Sequence, residues 1–387
     1  MAYIGRMLCS VGTGGYLGGG IYYPVQSNSG AWYVFFVDAF SDLVYMKSTD
    51  KGTTWAVPVT VFTGTVTQVA VWFDRWSNIS AGLIHLAYTE TGGSDILYRS
   101  LDTENSDTLG TQTTIFAGAS AVGSNGALSI TRARGGNLYC GGMIDAGAEG
   151  VFARSTDVGA NWSARTDTLN EAAADDQFIL LPGWAADNQD IMAYFWDASA
   201  DEISRKLYDD SGDSWAEDSI ATSMTDIARS VTGPHFAAAV DITNSRNLLA
   251  AWSAVDAANA DLRCWTVTES AITEKTNVVL NSTDDQGLCG IGIDTDTQYW
   301  YVIYAGISTG GQTWSSSLHL YYKVSTDAGT TWGSETQFSQ MLTGRVSLAM
   351  IPRFTGPFVS QHFDSFQGSS QLFVYYNQSQ GAGVFGA

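Results

Sequence analysis

The sequence has few basic residues and very little lysine. Its 387 residues include 18 lysines and arginines, of which five are lysines, against 39 acidic residues, and the formal net charge is -21. No stretch of the chain concentrates the basic residues. Because binding to a nucleic-acid backbone requires clustered lysine and arginine that displace counterions, the composition argues against a nucleic-acid partner.

Cysteine is also scarce, and long apolar runs are absent. The four cysteines, Cys9, Cys140, Cys264 and Cys289, lie far apart, without the close pairs of a zinc site, so we expect free thiols in packed strands. No apolar run approaches the roughly 20 residues that span a membrane. The opening MAYIGRMLCSVGTGG lacks the basic, apolar and small-residue regions of a secretory signal. We therefore expect neither a transmembrane segment nor a signal peptide.

Helical periodicity is nearly absent, and a repeat of strand-like segments takes its place. One repeat reads TQVAVWFD, LIHLAYTE, DILYRSLD and TQTTIF, four short strands separated by turn residues. The alternating apolar runs recur every 52 to 58 residues, and they begin near Ala31, Leu83, Asn137, Asp190, Asn247, Tyr299 and Pro357. Repeats of this length with four strands each are typical of a β-propeller. The sequence predicts an all-β fold, a seven-bladed β-propeller with four-stranded antiparallel blades.

The predicted blades divide residues 1–387, as a single domain, into units of similar length. Their approximate bounds are 16–64, 65–118, 124–170, 176–223, 234–281, 287–339 and 345–380. The last unit lacks a fourth strand, because only SQGAGVFGA follows the strand QLFVYYNQ. We expect residues 2–8 to supply the closing strand, with the C-terminal VFG segment as the alternative.

An eight-residue turn recurs at blade spacing. STDKGTTW at 48–55 returns as STDVGANW at 155–162 and STDAGTTW at 325–332, and YDDSGDSW at 208–215 keeps part of the pattern. The pattern resembles the Asp-box, the bacterial neuraminidase repeat found in sialidases and many other propellers. This resemblance implies a sialidase-like propeller with the boxes between the third and fourth strands. The box residues are Ser48, Asp50, Gly52, Trp55, Ser155, Asp157, Gly159, Trp162, Asp210, Gly212, Trp215, Ser325, Asp327, Gly329 and Trp332.

The residue types of the box fit a structural turn. The aspartate can accept backbone N–H groups of its own turn, the glycine supplies a positive φ, and the tryptophan packs between adjacent sheets. We predict that the boxes have a structural role and stabilise the blades of the propeller. The alternative is a calcium or sugar site at each box.

The opposite face of the predicted propeller carries a repeat of carboxylates. The sialidase resemblance implies that an active site would lie on this face, where second strands end. The strand-ending carboxylates are Asp38, Glu90, Asp145, Asp197, Asp256 and Asp364. They could cap turns, or form a rim that binds a cation such as calcium or accepts sugar hydroxyls. Trp314, in a long polar loop, is the aromatic residue expected to be exposed there.

The sialidase resemblance does not extend to catalytic residues. The family is expected to hold the substrate carboxylate with three arginines and to use a tyrosine nucleophile with a glutamate partner and an aspartate acid/base. The early Arg-Ile-Pro motif is missing, since the first inner strand reads GGGIYYP. Only Arg229 and Arg345 are expected on the carboxylate-bearing face, whereas Arg75, Arg134 and Arg353 are expected on the box side. The sequence therefore predicts no catalytic residue.

The low lysine content and the richness in Gly, Ser, Thr and Asn resemble modules of phage and other virion proteins. We expect a non-catalytic tail-fibre, adhesion or decoration component that binds a cell-surface glycan or a neighbouring structural protein of a larger assembly. Its expected location is a virion, or the extracellular space after lysis. The alternative is a sialidase-like glycoside hydrolase that acts on surface glycans.

Overall fold

The fold is all-β. The structure, a computed structural model, describes residues 4–11, 24–73, 82–90, 95–118, 128–143, 150–166, 177–184, 188–197, 200–225, 236–256, 259–282, 289–305, 320–337, 345–350, 353–354, 359–366 and 369–376. Every regular element within these residues is a β-strand. The described chain contains no helix long and apolar enough to cross a membrane.

Strand β1 (Ile4–Val11) comes first and joins a sheet formed by the other end of the chain. Three antiparallel blades follow it, each numbered from the strand nearest the propeller centre. Blade 1 contains β2 (Val25–Gln26), β3 (Trp32–Val37), β4 (Leu43–Ser48) and β5 (Val59–Phe62). Blade 2 contains β6 (Val66–Phe73), β7 (Leu83–Glu90), β8 (Ile96–Asp102), β9 (Thr108–Leu109) and β10 (Thr113–Phe116). Blade 3 contains β11 (Leu128–Arg132), β12 (Leu138–Met143), β13 (Gly150–Ser155) and β14 (Ser163–Ala164).

Three further blades continue the same order. Blade 4 contains β15 (Gln177–Pro182), β16 (Ile191–Asp197), β17 (Glu202–Asp209) and β18 (Ser214–Thr222). Blade 5 contains β19 (Phe236–Asp241), β20 (Arg246–Asp256), β21 (Asn259–Val267), β22 (Ile272–Glu274) and β23 (Val279–Ser282). Blade 6 contains β24 (Cys289–Asp294), β25 (Trp300–Ala305), β26 (Leu320–Ser325) and β27 (Thr336–Gln337). Inner strands of successive blades lie side by side, as β6, β11, β15, β19 and β24 do.

The remaining strands close the fold. They are β28 (Arg345–Met350), β29 (Arg353–Phe354), β30 (Val359–Phe366) and β31 (Ser369–Tyr376). The closing sheet has the order β1-β31-β30-β28, and β1 pairs antiparallel with β31 so that Ile4 lies opposite Tyr376. The short strand β29 instead pairs in parallel with β24 of blade 6. The closing sheet is thus assembled from both ends of the described chain.

The predicted fold class needs a correction. The β-propeller is confirmed, but the prediction of seven repeating blades is wrong, since in the described chain six blades, rather than seven, consist of consecutive strands. The seventh apolar run belongs to the closing sheet, whose edge strand comes from the other end of the chain. Blades 2 and 5 also have a fifth strand, because β9 and β23 pair with the third strand of their blade. A third strand with a short fourth neighbour leaves edge groups that a nearby segment can pair with.

The core lies between the blades. The second strands are apolar without alternation, as in WYVFFV of β3 and IMAYFWD of β16, because neighbouring blades cover both faces. In blade 6, for example, Trp300 and Val302 pack with blade 5. Tyr301, which lies between them in the strand, belongs instead to the apolar cluster formed by residues of blades 1 and 2. Side-chain alternation along one strand therefore supplies two separate interfaces.

Candidate functional site

Three turns with the sequence S-T-D-x-G share one hydrogen-bond pattern. They join the third strand to the outer segment in blades 1, 3 and 6, and we call them the Ser-Asp turns (residues 48–55, 155–162 and 325–332). In chain order, the serine Oγ donates to the aspartate Oδ1 at 2.9, 2.9 and 2.8 Å. The same Oγ accepts the glycine N–H at 2.7, 2.8 and 2.8 Å. The serine hydroxyl thus binds both the aspartate side chain and the glycine backbone of each turn.

Both carboxylate oxygens of the aspartate in each Ser-Asp turn accept hydrogen bonds from groups of the same turn. Its Oδ1 accepts the N–H of the residue four positions later at 2.8 Å in all three turns. Its Oδ2 accepts the side chain of that residue, Thr54, Asn161 or Thr331, at 2.7, 2.7 and 2.6 Å. Both oxygens therefore bind donors within the turn, which is the chemistry of a cap and not of an outward-facing ion ligand.

These hydrogen bonds lower the pKa of the turn carboxyl groups, and the lowering predicts a pH dependence. The bonds from Thr54, Asn161 and Thr331 hold the pKa of the three aspartates below its ordinary value. Since the unfolded chain then binds more protons than the folded chain, the stabilisation is complete above the unfolded pKa and is lost as the pH falls through the folded pKa. We expect the free energy of unfolding, measured with urea, to fall between pH 5 and pH 2.

A triple variant provides the control for this pH dependence. In D50N/D157N/D327N the turn side chains no longer titrate, so we expect a shallower decline of stability with falling pH than in the unmodified chain. An equal slope in the two proteins would show that the three turn carboxylates do not account for it.

Two of the Ser-Asp turns, those of blades 3 and 6, also contact the blade that precedes them. Two consecutive residues of each turn have positive φ, for example Val158 at 61° and Gly159 at 88°. In blade 3, the Gly159 carbonyl accepts the hydroxyl of Thr113 from blade 2 at 2.8 Å. In blade 6, Trp332 Nε1 donates to the carbonyl of Thr276 from blade 5 at 2.8 Å. The turns therefore connect adjacent blades.

The fourth repeat of the pattern, at 208–215, folds differently. Asp209, not Asp210, caps this turn, because its Oδ1 accepts the N–H groups of Ser211 at 2.9 Å and Gly212 at 3.2 Å. Trp215 packs on Tyr208, with ring centroids 4.8 Å apart. The tyrosine that replaces the serine of the other turns directs its hydroxyl to Asp213 at 2.7 Å.

Asp210 forms a polar contact between blades that recurs elsewhere. It accepts Tyr139 Oη at 2.8 Å and Arg154 Nη1 at 2.7 Å, both from blade 3. In blades 1 and 2, Asp107 accepts Tyr33 Oη and Lys47 Nζ, each at 2.7 Å. In both cases a second-strand tyrosine and a third-strand cation bind an aspartate of the next blade. Burial raises the pKa of the Tyr33 and Tyr139 hydroxyls, so they remain donors. The Tyr33–Lys47–Asp107 contact was not predicted from the sequence.

The face opposite the Ser-Asp turns, which we call the acidic face, carries the predicted strand-ending carboxylates. Asp38, Glu90 and Asp197 are at or just beyond the ends of β3, β7 and β16. Asp256 ends β20, and Asp364 lies within β30 opposite Arg345. Asp145 and Trp314 lie outside the described residues, as do Arg75 and Arg229. The candidate residues that the structure describes thus come from blades 1, 2, 4 and 5 and from the closing sheet.

Two of the strand-ending carboxylates, Asp38 and Asp197, hold backbone groups. Asp38 Oδ1 accepts the N–H groups of Phe40 at 2.8 Å and Asp42 at 3.0 Å. Asp197 Oδ1 accepts the N–H of Ala200 at 2.8 Å. These two strand-ending aspartates therefore cap the turn that follows them.

A second set of carboxylates ties each turn to the connection between blades. Asp42 Oδ1 accepts the N–H of Gly64 at 3.0 Å, and Asp95 Oδ1 accepts the N–H of Gly118 at 3.0 Å. Both glycines lie in the segment that leaves the blade. In blades 1 and 2, a hydrogen bond therefore connects the loop after the second strand to the segment that leaves the blade.

One exposed residue of this face was missed by the sequence reasoning. Phe40, at the tip of the turn between β3 and β4, is 84% exposed. The signal that could have found it is its position between Asp38 and Asp42, because a residue inside so short a turn cannot reach the core.

Other reactive side chains in the described chain are buried and occupied by packing. Burial lowers the pKa of His85 to about 3, so its ring is neutral and pairs with the Tyr98 hydroxyl at 2.7 Å. Cys140, Cys264 and Cys289 are free and buried, and burial raises the pKa of Cys264 to about 12. Among the described residues, no group of three or more His, Cys, Asp or Glu side chains is placed to hold a metal ion.

Comparison with known proteins shows similarity of fold without similarity of sequence. No protein-family model matches the sequence, and no curated protein does. An ulvan lyase, a polysaccharide lyase, is 11% identical with a TM-score of 0.54, over 99% of this chain and 96% of that chain. AofleA from Arthrobotrys oligospora is 11% identical with a TM-score of 0.51, over 87% of this chain and 90% of that chain. A leech intramolecular trans-sialidase is 10% identical with a TM-score of 0.49, over 77% of this chain and 67% of that chain. The chain shares the β-propeller fold with the first two proteins, and its membership of the Asp-box family stays a prediction.

Proposed function

We propose that the chain is a non-catalytic propeller that binds a cell-surface glycan through its acidic face. The observation that carries the proposal is the use of the carboxylates there. Asp38, Asp42, Asp95 and Asp197 each accept at least one backbone N–H group, so they maintain the shape of the loops. Loops held in one conformation lose little entropy on binding, which favours recognition.

The same observation argues against hydrolysis. A glycoside hydrolase needs two carboxyl groups that flank one bond and exchange protons with substrate or water. In Asp38 and Asp197 one carboxylate oxygen already binds a backbone N–H of the following turn, which fixes the side chain to its own loop and not beside a substrate bond. Asp294 is a carboxyl group whose pKa is raised by burial, but it lies where β24 ends, on the face of the Ser-Asp turns.

Two further points support the choice of ligand and setting. The ulvan lyase that shares the fold is a polysaccharide lyase, which makes a saccharide the natural first ligand class to test. The net charge of -21 and the scarcity of lysine fit the proposed setting as a virion tail-fibre, adhesion or decoration component, where a neighbouring structural protein would be a second partner. Calcium at the acidic face is included in the proposal as an aid to binding.

The test is a glycan array probed with the full chain, in calcium and in a chelator, together with an assay on fluorogenic glycosides. We expect binding to at least one class of glycan, stronger in calcium, and no release of the fluorophore. If the chain binds no glycan on the array in either buffer, glycan binding is refuted. Turnover of a glycoside would instead establish the hydrolase alternative.

A further inference from the structure

Phe40 is an exposed aromatic ring in the described part of the acidic face. Among the described residues, the large apolar side chains that are exposed are Phe40, Val57, Val59, Val255 and Leu280. Phe40 is the one aromatic side chain in that group, and its 84% exposure leaves nearly the whole ring open to solvent. An exposed aromatic face offers apolar surface that a ligand can cover.

The turn beneath Phe40 is rigid. The N–H of Ser41 donates to the Asp38 carbonyl at 3.0 Å, and the N–H of Asp38 donates to the Asp42 carbonyl at 3.0 Å. Ser41 has a φ of 70°, and its carbonyl accepts the N–H of Val66 at 3.0 Å. With the Asp38 carboxylate bound to the Phe40 N–H, the backbone that carries the ring has little freedom. The ring is therefore presented at low entropic cost to a ligand.

The turn that carries Phe40 also carries two carboxylates, Asp38 and Asp42. Asp38 and Asp42 use Oδ1 for backbone groups, and within the described chain their Oδ2 atoms accept no hydrogen bond. Glu90 reaches the same place from blade 2, since a Cβ added to Gly64 would lie 3.2 Å from Glu90 Oε2. Glu90 therefore lies next to Gly64, whose N–H is bound by Asp42 at the base of the turn that carries Phe40.

We propose that Phe40 is a stacking platform for an uncharged sugar ring, with Asp38, Asp42 and Glu90 accepting hydrogen bonds from its hydroxyl groups. This inference rests on the proposed function. A sugar ring offers one C–H face of about the size of the phenyl ring and hydroxyl donors at its edge. An acidic sugar would be repelled by the three carboxylates.

A protein partner fits the patch less well. A specific protein interface buries about 800 Å² on each partner around an apolar centre. Here a single exposed ring lies in a turn with two carboxylates, and charged residues are depleted at the centre of protein interfaces. A single ring is enough apolar surface for one sugar unit, but not for the centre of a protein interface.

The experiment compares full-length variants on one array that holds neutral, amino and acidic saccharides. F40A should lose about tenfold in affinity for the neutral saccharides that the unmodified chain binds, whereas F40W should retain binding because it preserves the aromatic face. The matched control is V57A, which removes another exposed apolar side chain, 79% exposed, outside this turn. Thermal melting should be the same for all four proteins, since both sites are exposed.

Each outcome decides the inference. If the unmodified chain binds and F40A binds equally well, or if binding is confined to acidic saccharides, the platform is refuted while the glycan-binding function survives. If the unmodified chain binds no saccharide, the function and the platform are both refuted. A loss in F40A with V57A and F40W unaffected supports both.

Discussion

Replacing Gly159 with alanine should lower the free energy of unfolding by about 3 kcal/mol. Gly159 has a φ of +88°, where an L-residue costs roughly 1–2 kcal/mol. An added Cβ would also lie 2.1 Å from the Tyr98 ring of blade 2. That ring is 2% exposed and its hydroxyl is bound to His85, so it cannot swing away. Urea denaturation of the full chain measures the effect.

The control for this substitution is Gly118→Ala. Gly118 has a φ of +76°, but no atom lies within 4 Å of a Cβ built there. We expect G118A to cost about 1 kcal/mol, the backbone contribution alone. Equal losses in G159A and G118A would mean that the close packing of the Ser-Asp turn on blade 2 contributes nothing.

Removing the carboxylate of Asp210 should destabilise the fold by about 3 kcal/mol. The side chain of Asp210 is 13% exposed and accepts Arg154 Nη1 at 2.7 Å and Tyr139 Oη at 2.8 Å. Arg165 Nη2 lies 3.9 Å away. In D210A a shielded guanidinium and a buried hydroxyl would lose their acceptor, and the penalty for unpaired buried groups exceeds the value of the contact itself.

A second ion pair offers the comparison for D210A. Glu274 pairs with Arg263 within blade 5, where the glutamate side chain is 47% exposed and the arginine side chain 21%, so water can replace the carboxylate. We expect E274A to cost no more than about 1 kcal/mol. If both variants lose the same stability by urea denaturation, the contact between blades 3 and 4 is no stronger than an exposed pair.

Much of the fold could be predicted because single segments carry the information. β3 and β16 are apolar on both faces, and a strand buried between two neighbours has this composition wherever it occurs. The closing sheet was harder to predict, because its last strand could be assigned to residues 2–8 only by elimination, with the C-terminal VFG segment as the alternative. The pairing of β1 with β31 depends on two segments that meet only when the ring is complete. The fifth strands β9 and β23 are short and form because an edge is available, which no local pattern records.

The roles of individual site residues were harder to predict than the strands. The doublet Asp209-Asp210 offers two carboxylates one residue apart, and only the register of β17 decides which caps the turn and which reaches blade 3. Phe40 illustrates a second difficulty. Large apolar side chains are usually buried, so composition favours the core. The geometry of a turn closed by Asp38 overrides that preference.

The pairing of β1 with β31 has a consequence for the order of folding. β1 precedes every other described strand along the chain, and its hydrogen-bonding partner follows all of them. During synthesis, the backbone groups of β1 that pair with β31 therefore stay unpaired until β31 has been made. Contacts between such distant segments form slowly, and unpaired strand edges favour association with other chains. We therefore expect closure of the ring to come late in folding, after the blades between β1 and β31 have formed.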